Sequence, residues 1–324
     1  MSRAREFLAK LYRGGGTWLP PGTGDPAAST LDTVEELRGL GYRIEAHPEL
    51  GYRLVESPDQ LIPDDLMARL PEAGEAAIGN QIIVFQATGS TNDIVQRLGL
   101  EGHREGVVIF AESQTAGRGR HGRDWLSPPA KGLWFSFLLR PGLSFQAAPR
   151  LMVMTAVAVA RALRKGTGLP LTIKWPNDIL CGGRKLGGIL VECSGDGTMI
   201  GYAAVGVGIN VNLDPAEFPE GLRNRATSLK IEAGQGFDRP ALAAAVLTEL
   251  NRCHPHLCDD GFRLLLEEWV ELDDTLGRQV SVQGDGGRML HGQAVDLDAD
   301  GALLLRMDDG RVERVTAGDV AFQP

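Results

Sequence analysis

Between residues 82 and 211 the chain is punctuated by strand-like apolar runs, and few of the gaps between them can hold a helix. The runs fall at 82–86, 107–111, 133–139, 171–175, 186–192 and 199–211, with helical spacing only near 91–98 and 148–164. Parallel βαβ units need a crossover helix between successive strands, so this pattern predicts an α+β fold around a mixed sheet, with helices gathered to one side.

A second feature sharpens that exclusion. Gly117-Arg118-Gly119-Arg120-His121-Gly122-Arg123 spells G-x-G-x-x-G just after the 107–111 run. In a dinucleotide-binding fold a helix must leave this motif, yet Asp124-Trp125-Leu126-Ser127-Pro128-Pro129 follows and its prolines forbid one. What remains is a backbone with little side-chain bulk carrying Arg118, Arg120 and Arg123. Glycines let amides approach a ligand, and guanidinium forks suit phosphate and carboxylate oxygens. The stretch reads as a mobile anion-binding loop.

That loop is a local exception, because the net charge of −9 argues against a protein that coats nucleic acid. A small anionic ligand suits the combination better. Residues 1–12 alternate charged and apolar positions, unlike a secretory signal. The longest apolar run, 151–160, is half a membrane span. Four cysteines imply no disulfide framework and suit a reducing cytoplasm. Cys253-His254-Pro255-His256-Leu257-Cys258 looks superficially like metal ligands, but it lies in a helical pattern without a second ligand pair, so no metal is expected there.

Composition divides the chain into residues 1–65, 80–272 and 275–324. The first holds helices near 3–11 and 29–40, then short strands around 42–44 and 51–54, the outline of a winged helix. The last holds short strands at 279–282, 292–297, 302–306 and 312–315 between Gly and Asp turns, which reads as a small β-barrel.

Several segments of the middle region carry polar chemistry. Ser90-Thr91-Asn92 opens a helix, where Ser90 serves as an N-cap or the group presents donors to a ligand. Gln114 stands at the mouth of the arginine loop, and Trp125 beyond it is a core anchor or a stacking platform. Lys174-Trp175-Pro176-Asn177-Asp178 ends a strand in a turn, with opposite charges of the kind that furnish phosphate and magnesium sites. Arg184-Lys185-Leu186-Gly187-Gly188 and Gly206-Val207-Gly208-Ile209-Asn210 place glycines in strands, a mark of close approach. The dipeptide Gly-Lys never occurs, so no P-loop is present.

In this order, over about residues 80–322, these segments closely resemble the biotin–protein ligases, the family of biotin–[acetyl-CoA-carboxylase] ligases and biotin-operon repressors. The resemblance implies that Ser90, Thr91, Asn92, Gln114, Gly117, Arg118, Gly119, Arg120, Lys185 and Gly188 line a site for biotin and its adenylate. Lys185, Arg118, Arg120 and Asp178 would carry the chemistry. Lys174, Asn177 and Asn210 would stand on the ATP phosphate side, with Asp178 holding Mg²⁺. Biotin and ATP would be substrates, and a biotin carboxyl carrier protein the acceptor. Lipoate ligation shares the fold, and a homodimer is compatible with it. The departure is N-terminal: the expected reading helix carries Asp32, Glu35 and Glu36 against Arg38, and residues 1–60 hold seven Lys/Arg and nine Asp/Glu. DNA binding needs phosphate neutralisation, so this winged helix reads as degenerate and repression is not expected.

Overall fold

A computed structural model describes residues 2–21, 27–71, 77–283 and 288–322. Helices α1 (Arg3–Arg13) and α2 (Ala27–Gly39) lead into a hairpin of β1 (Arg43–His47) and β2 (Gly51–Glu56). Ser2 caps α1 by accepting from the Arg5 N–H, and Leu8, Leu11, Val34, Leu37, Tyr42 and Ile44 close a small core. Helix α3 (Pro63–Arg69) follows, across the boundary that composition places at residue 65. It joins two cores: Ala68 belongs to the N-terminal one, and Leu66 to the large central one.

The central sheet contains β3 (Gln81–Phe85), β4 (Val107–Ala111), β5 (Gly132–Leu139), β6 (Leu171–Lys174), β7 (Asp178–Cys181), β8 (Arg184–Gly195) and β9 (Ile200–Asn210). Its order is β3-β4-β5-β9-β8-β7-β6, with only β3 and β4 parallel. Because β4 and β5 run antiparallel, the arginine-rich segment joining them is a hairpin connection. No βαβ crossover starts there, as the prolines require.

Helices α4 (Thr91–Leu100), α5 (Pro149–Thr167), α6 (Leu229–Ala233), α7 (Arg239–Cys253) and α8 (Phe262–Glu271) complete this region. The expectation of helices on one side holds for α5, α7 and α8, whose apolar residues cluster with Val108, Phe110, Phe137 and Val205. It fails for α4. Val107, Ile109, Leu138 and Ala204 form a second apolar face, and Val95 and Leu98 of α4 cover it. Two covered faces account for strands that are apolar at nearly every position, with β4 and β5 buried throughout.

The C-terminal sheet has strands β10 (Gln279–Gln283), β11 (Met289–Leu297), β12 (Leu303–Met307), β13 (Val312–Val315) and β14 (Asp319–Phe322). It is antiparallel in the order β13-β12-β11-β10-β14. Buried Thr275 docks it to the central sheet by accepting from the Trp175 N–H at 2.8 Å, and the Trp175 indole donates to Gly301 O. Beside it, Lys174 of β6 lies over Phe322 of β14, 4.6 Å from the ring centre.

Candidate active site

Where β5, β8 and β9 face the N-terminus of α4 and the 117–123 loop, a cleft of about 790 Å³ opens. Its walls include Ser90, Thr91, Asn92, Gln114, Arg118, Gly119, Arg120, Lys174, Asn177, Asp178, Lys185, Gly188 and Asn210, segments scattered over more than a hundred residues of chain. Gly117 stands just behind, where a Cβ would meet the Trp125 carbonyl at 2.6 Å.

One end of the cleft is lined by uncharged, hydrogen-bonded side chains. Ser90 occupies the N-cap position of α4, yet its side chain makes no capping bond. Gln114 does that work from outside the helix, its Oε1 accepting from the Thr91 N–H at 2.9 Å while its Nε2 donates to Ser127 Oγ. Ser136 Oγ lies 2.7 Å from Thr91 Oγ1 and donates to Asn92 Oδ1, and Asn92 Nδ2 donates to Glu192 Oε2 at 2.7 Å. A buried polar group costs little when partnered, so this network fixes the side chains in place.

The floor is glycine. A Cβ at Gly206 would come within 2.5 Å of Asn92 Oδ1, and one at Gly208 within 2.5 Å of Trp125 Nε1. Trp125 is therefore a wall, half-buried and edge-on to Trp134, with Lys185 Nζ 5.3 Å from its ring centre. Its indole nitrogen is buried without a partner.

The other end is charged. The β6–β7 hairpin pairs Lys174 directly with Asp178, and Asp178 Oδ1 lies 2.6 Å from Lys185 Nζ. Lys185 is held by its backbone, which donates to Arg225 O and accepts from Thr227 N, each at 2.8 Å. Burial pushes the Lys174 ammonium below the ordinary lysine value; Asp178 opposes that shift, and Lys185 and Arg225 add to it. Asn177 Nδ2 donates to Ile189 O, and Asn210 Nδ2 to Thr227 O, so both amides brace backbone at the rim.

The arginine loop is ordered into a small hairpin, with Gly119 N donating to Arg123 O and Trp125 N to Gly117 O. Arg118 makes a two-pronged ion pair with Asp93 of α4 and lies 3.9 Å from Glu192. Arg120 donates to Gly318 O at 2.8 Å, and Arg123 pairs with Asp319 at the start of β14. Sequence reasoning missed Asp93, Ser136 and Glu192. Ser136 offered a signal, as the one hydroxyl in an otherwise apolar strand.

Cation-rich at one end, neutral at the other and bare of side chains between, the cleft suits an elongated ligand with an anionic centre. Residues 84–210 match the biotin/lipoate A/B protein ligase family, and residues 275–323 match the biotin protein ligase C-terminal domain. The chain is 33% identical to the bifunctional ligase/repressor BirA of Bacillus subtilis, across 89% of this chain and 87% of that protein. It is a biotin protein ligase family member. A second member, the biotin–[acetyl-CoA-carboxylase] ligase of Mycobacterium tuberculosis, is 34% identical over 81% of this chain and 97% of its own. The solved biotin protein ligase of Aquifex aeolicus, in complex with biotin and ATP, superposes with a TM-score of 0.64 at 30% identity, covering 75% of this chain and 99% of that one. The mixed sheet with its C-terminal antiparallel sheet is thus the biotin protein ligase fold.

Proposed function

We infer that this protein activates biotin with ATP and transfers the biotinyl group to a lysine of a biotin carboxyl carrier protein. The carrying observation is the two-ended cleft, with its neutral donor network at Thr91 and Gln114 and its cations at Lys185 and Lys174. The uncharged ring system of biotin suits the first end. Its carboxylate and the ATP phosphates suit the second.

In the first step a biotin carboxylate oxygen attacks the α-phosphorus of ATP. The bond from that phosphorus to the β-phosphate bridging oxygen breaks, and pyrophosphate leaves. Two anions must meet, so the ammonium of Lys185 and the guanidinium groups of Arg118 and Arg120 stabilise the charge that concentrates there. Arg118 lines the cleft while two of its five N–H donors are engaged with Asp93, so that carboxylate competes with the phosphate for its charge. In the second step the acceptor amine attacks the acyl carbon of biotinyl-5′-AMP, AMP leaves, and the amine's proton passes to a base, for which Asp178 is the candidate. The mixed anhydride is hydrolysable, and the 117–123 loop folded over it excludes water.

Magnesium needs few protein ligands where phosphates supply the rest. The described residues hold no cluster of three or more His, Cys, Asp or Glu side chains, and Asp178 is already paired with Lys185. Magnesium therefore fits as part of the ATP substrate, and Asp178 would meet it by sharing its charge with Lys185.

We read residues 1–65 as a degenerate winged helix, 80–272 as the catalytic domain and 275–324 as a small β-barrel-like domain. The described residues contain no helix long and apolar enough to cross a membrane, and reaction with a carrier protein of fatty-acid synthesis fits a cytoplasmic enzyme. Incubation with biotin, ATP, Mg²⁺ and a carrier domain should add one biotinyl mass to the carrier. Lys185→Gln should slow this on the order of 10²–10³-fold, the loss typical of one charge-stabilising donor. Labelling by lipoate in preference to biotin, or no labelling, overturns the reading.

A further inference from the structure

Arg239, the first residue of α7, is fully buried, and its guanidinium holds three separate pieces of chain. Nη1 donates to Glu112 Oε2 at 2.6 Å and to Gly132 O at 3.3 Å. Nε donates to Asp59 Oδ1, and Nη2 to Asp59 O, each at 2.9 Å. Most of the donors on this fork are thereby used without access to solvent.

The positions of those partners matter. Glu112 is the residue after β4, and Gly132 is the first of β5. They are the two feet of the connection that carries Gln114, the arginine loop and Trp125. The Ala130 N–H donates to Glu112 O at 3.2 Å and closes the base between them. The other Glu112 oxygen, Oε1, accepts from the Leu61 N–H at 2.8 Å. Residues 59–61 join the N-terminal hairpin to α3. One carboxylate–guanidinium pair therefore fastens the loop's base to the segment that leads to the N-terminal module.

Buried charges persist only when paired, and removing one partner leaves the other stranded, so this junction has few alternative arrangements. A shift at the Glu112 foot moves both of its oxygens, and one at the Gly132 foot moves a carbonyl held by the same Arg239 nitrogen. We propose that Glu112 and Arg239 are positioning residues for the arginine loop, and that closure of the loop on its ligand is felt at residues 59–61. This rests on the reading of the cleft as the site of biotinyl-5′-AMP. Neither residue touches ligand. They act by setting where Gln114 and the arginines stand.

Amide hydrogen exchange on the full chain, with and without biotin plus ATP, tests this directly. Residues 113–129 should be protected on binding, and the Leu61 amide should slow with them by about tenfold, the usual size of a coupling between sites. Glu112→Gln and Arg239→Lys should release biotinyl-5′-AMP about tenfold faster when no carrier is present. Exchange in β9 monitors the fold of each variant. Protection of the loop with an unchanged Leu61 amide overturns the proposal, as does unaltered adenylate release from folded variants. If neither variant folds, the wild-type Leu61 amide decides alone. No protection of the loop by biotin and ATP defeats the reading of the cleft itself, and the proposal with it.

Discussion

Lys174 shows how a single side chain acquires a property that its sequence position does not state. Its partial burial disfavours the ammonium and lowers its pKa from 10.5, against the pull of the Phe322 ring, which favours the charge and whose centre lies 4.6 Å from Nζ. The unfolded chain then binds this proton more tightly, so this group makes stability rise with pH between the lowered value and 10.5. Function runs the other way, because Lys174 loses its charge while ordinary lysines keep theirs. KM for ATP should therefore climb on the alkaline side in the wild type and stay flat in Lys174→Arg, since a guanidinium remains protonated. Superimposable pH profiles would remove Lys174 from the phosphate side. Its chemical type and its strand were legible in the sequence, as they were for Lys185; for Asp178, which opens a strand that reads as a turn, only the type was. The partners were not. Arg118 meets Asp93, Arg123 meets Asp319 and Asn92 meets Glu192 across long stretches of chain that local pattern does not bridge.

Elements were legible wherever apolar runs were long. Strands β4, β5, β8 and β9 stand within a few residues of the expected ranges, because buried strands need continuous β-branched and aromatic positions. Strand β7 was hidden, since Asp178–Cys181 is only four residues long and follows a Trp-Pro-Asn turn that reads as a terminus. Helix α3 was hidden by brevity too. The glycines of β8 and β9 pointed to close approach, and the structure names what approaches: Asn92 at Gly206 and Trp125 at Gly208. These glycines differ in their tolerance. At Gly188 a methyl group would sit 3.4 Å from Lys185 and Trp125, in ordinary contact, whereas at Gly208 it would meet the indole nitrogen at 2.5 Å. Gly208→Ala must displace Trp125 at a cost of about 1–3 kcal/mol, roughly a ten- to hundredfold loss of biotin affinity. Gly188→Ala should cost less. Calorimetric titration with biotin compares the two directly, and equal losses would mean that Trp125 does not form the wall.

At the scale of the whole molecule, the open question is what the N-terminal module contributes to an enzyme whose cleft is built from the rest of the chain. Some relatives are named ligase/repressor, and a repressor must neutralise DNA phosphates. The charges of this module argue against that. Asp32, Glu35 and Glu36 are exposed on α2, while Arg38 is spent on Glu35 at 2.7 Å and on the carbonyl of Ile44. In the β1–β2 hairpin Arg43 pairs with Glu56 at 3.1 Å, and Arg53 pairs with Glu45 and lies over Trp18. Binding to duplex DNA releases counterions in proportion to the phosphates neutralised, and cations already matched with carboxylates neutralise few. The module is also fastened by Arg69, which bridges Asp65 and Asp238, and by Arg239 on Asp59. A module held in this way is suited to supporting the catalytic region. Fluorescence anisotropy with a labelled duplex, in low salt and with biotinyl-5′-AMP saturating, should therefore register no salt-dependent binding. A complex whose affinity falls steeply with added salt would show that these ion pairs open on DNA, and would restore repression as a function of this chain.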